Sequence, residues 1–169
     1  MTSKNTEIIA GIVIKTERTK DADLRIRLLC ADGLRNLTAT GVLKPNAKLN
    51  HAVQLFTIAE YTIAGAKIIG ANVLHTNHEI AKNIKNYYLA CAICEVILQI
   101  PHQDDHGVFA LVALALAKLC SPADTRAIYT DFFTALLIEL GYDIDESQDI
   151  NTAYAHHLDI KIPNTNAFL

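Results

Sequence analysis

The spacing of apolar residues changes once along this chain, near Thr76, and the change limits what the chain can fold into. Before Thr76, apolar and polar residues alternate in short runs, the period of half-buried strands. After it, apolar residues return every three to four positions, the period of a helix with one buried face. Strands followed by helices predict an α+β protein. The expected division is a sheet domain over residues 1–75 and an all-α domain over residues 76–169 with an acidic C-terminal tail.

The strand half is organised around Leu34–Ile63. This stretch reads as a strand, a basic loop Gly41–Lys48, and a long alternating strand Val53–Ile63. In the loop, Lys44 and Lys48 flank the turn signal Pro45-Asn46. Upstream, Glu7–Thr16 is rich in Ile and Val, with Gly11 as a candidate bulge or barrel bend. A polar connection is expected over Thr16–Asp23. Leu24–Cys30 then sets Leu24, Ile26 and Leu28 on one side and Arg25 and Arg27 on the other. Ala31-Asp32-Gly33 is a hairpin signal, and Leu34–Thr40 pairs back. On the long strand, Val53, Leu55, Thr57, Ala59, Tyr61 and Ile63 share a face, and Lys67–Leu74 is the fifth strand. Five short strands in about 70 residues predict a small closed barrel. The five-stranded oligonucleotide/oligosaccharide-binding (OB) fold is the expected form, with an SH3-like barrel as the competing one.

In the helical half, Thr76-Asn77-His78-Glu79 has the form of a capping box. Ile84, Tyr87, Cys91, Cys94 and Leu98 then predict a helix to about Gln99, broken at Ile100-Pro101. Asp104-Asp105 are expected to cap a second helix, His106–Leu119, apolar nearly all round. Ser121-Pro122-Ala123-Asp124 marks the start of a third, ending at Leu140 before Gly141. An acidic loop Asp143–Asp149 follows, then a short helix near Thr152–His157.

Charge divides the same way. Residues 1–70 carry ten Lys/Arg against six Asp/Glu, and the remainder five against twelve, within a net charge of −3. A basic half joined to an acidic half implies a polyanion-binding face on the first and a different kind of partner for the second. No signal peptide is evident at the start, and Val108–Leu119 is too short to span a membrane, so a cytoplasmic protein with reduced thiols is expected.

Catalytic patterns do not emerge. The chain has no Gly-rich phosphate loop, no Gly-x-Ser-x-Gly elbow and no His-Glu-x-x-His pair. Cys91 and Cys94 are spaced like half a zinc knuckle, but no matching second pair follows, and they fall on an apolar helix pattern. His102, Asp104, Asp105 and His106 have metal-ligand types, but the acids already serve as caps. No enzyme, metal or cofactor is therefore expected. Cations are the better-supported chemistry: Lys15, Arg18, Lys20, Arg25, Arg27, Arg35, Lys44, Lys48 and Lys67 all lie in the barrel half. A basic groove on a small barrel tracks a nucleic-acid backbone. Stacking platforms are scarce, because Phe56 and Tyr61 are the aromatic residues of this half and face opposite ways on the expected strand. Binding should then be dominated by phosphate, with little sequence readout.

At these residues the chain resembles a known family. Gly11–Thr16, the strand Leu24–Cys30 and Asp32-Gly33 resemble the opening of the bacterial DNA repair and recombination mediator RecO. In that family a "KGxR" loop leads into an "LQPF" strand. Thr40–Leu49 and Val53-Gln54-Leu55-Phe56 are similar to these, and Leu140-Gly141-Tyr142 matches the family's helix end. The resemblance covers roughly residues 7–142. It implies an N-terminal OB barrel, a helical domain and no catalysis. Implied partners are single- and double-stranded DNA, a RecR-like protein and single-strand-binding protein, with strand annealing and recombinase loading as the activity. By position it favours Lys44 and Lys48 as DNA contacts. The chain departs from the family where a four-cysteine zinc finger commonly follows Leu-Gly-Tyr, since Asp143–Asp149 holds no cysteine. The acidic helical half also runs against docking the acidic tail of single-strand-binding protein. An alternative expectation is a protein-interaction module of the same fold that has lost most DNA binding.

Overall fold

A computed structural model of the chain describes residues 6–20, 22–100, 106–145 and 148–163. It divides into two compact units, one ending at Asn77 and the other beginning at His78.

The first unit is a closed barrel of five strands, β1 (Thr6–Lys20), β2 (Asp23–Cys30), β3 (Gly33–Ala39), β4 (Ile58–Ala64) and β5 (Lys67–His75). The order around the barrel is β1-β2-β3-β5-β4. Every neighbouring pair is antiparallel except β3 with β5, which meet in parallel at Thr38 and Lys67. A three-strand meander closed by a parallel β3–β5 contact is OB topology. Closure depends on β1. Its first half pairs with β4, from Thr6 opposite Ala64 to Ile12 opposite Ile58, and its second half pairs with β2, as far as Lys20 opposite Asp23. The register slips between Val13 and Lys15, a one-residue bulge that bends the strand from one partner towards the other.

Alternation fills the barrel. Leu24, Ile26 and Leu28 point inward with Leu37, Ala39, Ala59, Tyr61, Ile63 and Ile68. Burying a side chain of this kind contributes about 1.5–3 kcal/mol, so the inward set dominates the stability of the unit. Gly11 is where the interior is tightest: a Cβ there would lie 2.5 Å from Leu28 Cγ. Of the bulge or barrel bend expected at Gly11, the bulge lies at residue 14, while Gly11 itself serves close packing where β1 passes from β4 to β2.

Two expectations about this unit are corrected. Residues 16–20 are strand and not a polar connection. Their sequence has no apolar member to show the alternation. The stretch expected to open a long strand at Val53 is instead a 3₁₀ turn, Asn50–Val53, followed by an irregular link to Ile58. Phe56 has a φ of 68°, outside any strand conformation. Backbone and side-chain bonds hold this link: Phe56 N–H donates to Val13 C=O at 2.8 Å, and the buried Tyr61 hydroxyl donates to Ala52 C=O at 2.6 Å.

The second unit opens with a 3₁₀ turn, His78–Lys82, and continues as α1 (Ile84–Gln99), α2 (His106–Leu119), α3 (Thr125–Glu139) and α4 (Ile150–Leu158). The cap of α1 is Asn83, whose side chain accepts from Lys85 N–H at 3.0 Å and Asn86 N–H at 3.3 Å, not Thr76. Likewise Asp124, not Ser121, caps α3 by accepting from Arg126 N–H at 3.0 Å. Both corrections have one cause: several residues of each segment can cap, and packing selects the one that starts the buried face. Asp104 and Asp105 lie outside the described residues. Buried Asn86 ties three helices together. Its amide donates to Leu119 C=O at 2.8 Å and its oxygen accepts from Thr125 Oγ1 at 2.7 Å. The end of α3 is as expected. Gly141, at a φ of 83°, donates to Ile138 C=O at 2.9 Å, and Tyr142 N–H reaches back to Leu137 C=O at 3.0 Å. Among the described residues no helix is long and apolar enough to cross a membrane.

Candidate nucleic-acid interface

Strand register decides which barrel cations stand together. Residues directly opposite on paired strands share a face, with Cβ atoms about 4.5–5.5 Å apart. Lys15 on β1 stands opposite Arg27 on β2, which stands opposite Asn36 on β3. Two residues along, Glu17 stands opposite Arg25, Arg25 opposite Thr38, and Thr38 opposite Lys67 on β5. Two adjacent rows of outward positions therefore cross β1, β2, β3 and β5, carrying Lys15, Arg25, Arg27 and Lys67 with a single acid, Glu17. Asn36, Arg25, Lys15 and Lys67 are exposed, and Arg27 is half-buried. Lys20 pairs with Asp23 at the end of β1.

The basic loop begins at that end. Gly41 N–H donates to Asp23 Oδ1 at 2.7 Å, and Leu43 N–H donates to Ala22 C=O at 3.0 Å, so the loop after β3 lies folded on the β1–β2 turn. Buried Val42 anchors it from within, and its carbonyl accepts from Asn50 Nδ2 at 2.9 Å. Consecutive turn bonds, Lys44 N–H to Gly41 C=O at 3.2 Å and Ala47 N–H to Lys44 C=O at 3.2 Å, keep the loop compact. The aliphatic stem of Lys44 passes over Gly41, whose φ of 70° is a conformation that favours glycine. Lys44 and Lys48 are exposed, and neither forms an ion pair among the described residues.

Arg35 does not join the rows. It stands opposite inward-facing Leu28, and its guanidinium pairs with Asp32 and with Glu7 Oε1, the latter at 3.4 Å. That pairing raises its pKa, chiefly through the Asp32 hydrogen bond. A guanidinium already held by two carboxylates has little left for a phosphate. Arg18 stands opposite buried Leu24, also off the rows. Of the nine cations singled out in the sequence, register thus groups Lys15, Arg25, Arg27 and Lys67. The loop adds Lys44 and Lys48 near the β1–β2 turn.

Glu17 was missed because its segment was read as a connection. Its carboxylate lies 2.7 Å from Lys15 Nζ. Its pKa is lowered by the Lys15 hydrogen bond first, and also by the fields of Lys15, Arg25 and Arg27. Neither barrel aromatic is a stacking platform: Phe56 is 4% exposed and Tyr61 fully buried. The scarcity of stacking platforms expected from the sequence holds, but Phe56 is not on the strand that carries Tyr61.

Other chemistry is scarce. The Cys30 thiol is pushed up to about 12 by burial, and burial also raises Cys94, which disfavours the thiolate at both. No group of three or more metal-ligating side chains occurs among the described residues. His102, Asp104, Asp105 and the side chain of His106 fall outside them.

Comparison with known proteins agrees with this architecture. Residues 4–72 match the family described as recombination protein O N terminal. The chain is also 27% identical, over 122 residues, to a DNA repair protein RecO of Parasynechococcus marenigrum (strain WH8102). That similarity covers 69% of this chain and 45% of the relative, so the chain spans less than half of the relative's length.

Proposed function

We propose, from the match of residues 4–72 to the recombination protein O N-terminal family and the similarity to a RecO protein, that the chain is a non-catalytic DNA-binding protein of recombinational repair. The observation that carries the proposal is the outward basic face across β1, β2, β3 and β5, with the folded loop of Lys44 and Lys48 at its end. Outward positions of the middle strands and the adjoining loops are where OB barrels hold nucleic acid. Side chains that offer only positive charge and amide or hydroxyl donors position a phosphate backbone and do not read bases. Binding is therefore electrostatic, tolerant of sequence and open to single and double strands. On this reading the protein acts in the cytoplasm, anneals strands and helps load recombinase with a RecR-like partner and single-strand-binding protein.

The test is DNA binding measured against salt. Each neutralised phosphate contributes a slope of roughly −0.7 for single strands, so five or six contacts give a slope of about −4. Charge reversal of Lys44 and Lys48 together lowers affinity at least tenfold and flattens the slope by about 1–2. A flat salt response, or unchanged binding by the double variant, counts against the proposal.

A second reading is a protein-interaction module with the same fold. The absence of an exposed aromatic residue on the barrel among the described residues favours it, since stacking contributes about 1–3 kcal/mol per base in single-strand binders. Its mark is capture of a RecR-like protein at a salt concentration where no DNA is held.

A further inference from the structure

The basic face contains its own competitor. Glu17 is the single acid on the two outward rows, and cations face it on several sides. Lys15, two residues away on the same strand and face, holds the carboxylate at 2.7 Å. Arg25 stands directly opposite on β2, and Arg27 is opposite Lys15, one diagonal step away. A carboxylate accepts the same charge-assisted hydrogen bonds from Lys and Arg that a phosphate oxygen does. It needs no conformational change to do so, because β1 is paired along this stretch.

We propose that Glu17, opposite Arg25, occupies the phosphate position of the barrel face, so that a nucleic-acid backbone must displace it from Lys15 before binding there. This inference rests on the DNA-binding reading above. Its consequence is a face kept deliberately weak, which releases a strand readily and exchanges one for another. The pKa of Glu17 is lowered, first by the Lys15 hydrogen bond, which agrees with this placement.

Glu17 is exposed and on a solvent-facing position, so Glu17→Gln keeps the strand and the side-chain shape while removing the charge. Glu60 supplies the control. It is exposed, lies on β4, bonds Asn72 Nδ2 at 3.1 Å and stands outside the two rows, so Glu60→Gln changes net charge equally at another face. The experiment measures binding of a single-stranded oligonucleotide by the full chain and both variants across salt concentrations. Glu17→Gln should tighten binding about two- to fivefold at low salt, the scale expected of one exposed ion pair. It should also steepen the salt slope and slow release of the strand, while Glu60→Gln remains within about 1.5-fold of the unaltered chain by the same reasoning. Equal effects of the two variants, or weaker binding by Glu17→Gln, overturn the proposal while leaving DNA binding intact. Absence of binding by all three proteins overturns the DNA-binding reading itself, and this inference with it.

Discussion

Gly11 shows how much one residue can decide. It pairs with Cys30 on one side and Ala59 on the other, where β1 passes from one partner strand to the next. Leu28 fills the space a side chain would take. Gly11→Ala must move Leu28 or the backbone, and overpacking of this kind costs about 1–3 kcal/mol. Thermal or denaturant unfolding should show that loss, while a variant that also shortens the neighbour, Gly11→Ala with Leu28→Val, should recover part of it. The sequence marks Gly11 as special, as a bulge or a barrel bend. Glycine is common to bulges and to close contacts, and composition alone does not separate them. Arg25 and Arg27 were legible because each is flanked by apolar residues at period two. Glu17 was not, because Lys15–Lys20 has no apolar residue to reveal that it is a strand. Arg35 was counted with the other cations for a related reason: whether it faces Arg27 or Leu28 depends on register, which is set by the Ala31–Asp32 turn and not by Arg35 itself.

At the scale of elements, the basic loop is held from outside and within. Asp23 accepts the Gly41 amide, Ala22 accepts that of Leu43, and Val42 is buried. Asp23→Ala removes the first of these bonds, and Asp23→Asn keeps an acceptor oxygen in place. The alanine variant should lose about 0.5–1.5 kcal/mol and speed hydrogen exchange at the Gly41 amide, while the asparagine variant stays near the parent. DNA affinity should fall with the alanine variant if Lys44 contacts phosphate from this docked loop. The segment just after the loop was the least legible part of the chain. Val53, Leu55, Thr57, Ala59, Tyr61 and Ile63 alternate without a break, yet only the last three belong to a strand. The 3₁₀ turn is fixed by tertiary bonds, Tyr61 to Ala52 and Phe56 to Val13, that no local pattern announces. Helices were easier because their apolar faces are long, although the caps of α1 and α3 fall on other candidates.

At the scale of the whole molecule, two units of opposite charge share one chain. The barrel has its own closed hydrogen-bond network and its own buried set, which are the requirements for independent folding. We expect residues 1–77 alone to give a β-type circular dichroism spectrum and a cooperative melt. The fragment should bind DNA at least as tightly as the full chain, because the acidic residues beyond it contribute only repulsion to a polyanion. A fragment that folds yet loses affinity by more than about tenfold would assign part of the DNA contact to the helical unit.

Strand β1 also sets the order in which the barrel can be made. Its second half finds β2 across a tight turn, and β3 follows directly, so a three-strand meander can form as soon as Ala39 is available. Its first half has no partner until Ile58–Ala64 has been synthesised, and the ring closes only when Lys67 reaches Thr38. During translation the early meander therefore waits with two bare edges, the state in which chains associate wrongly. The charges on Lys15, Glu17, Arg25 and Arg27 lie on that waiting sheet. Charged side chains on such a sheet disfavour the pairing of unfinished copies with one another.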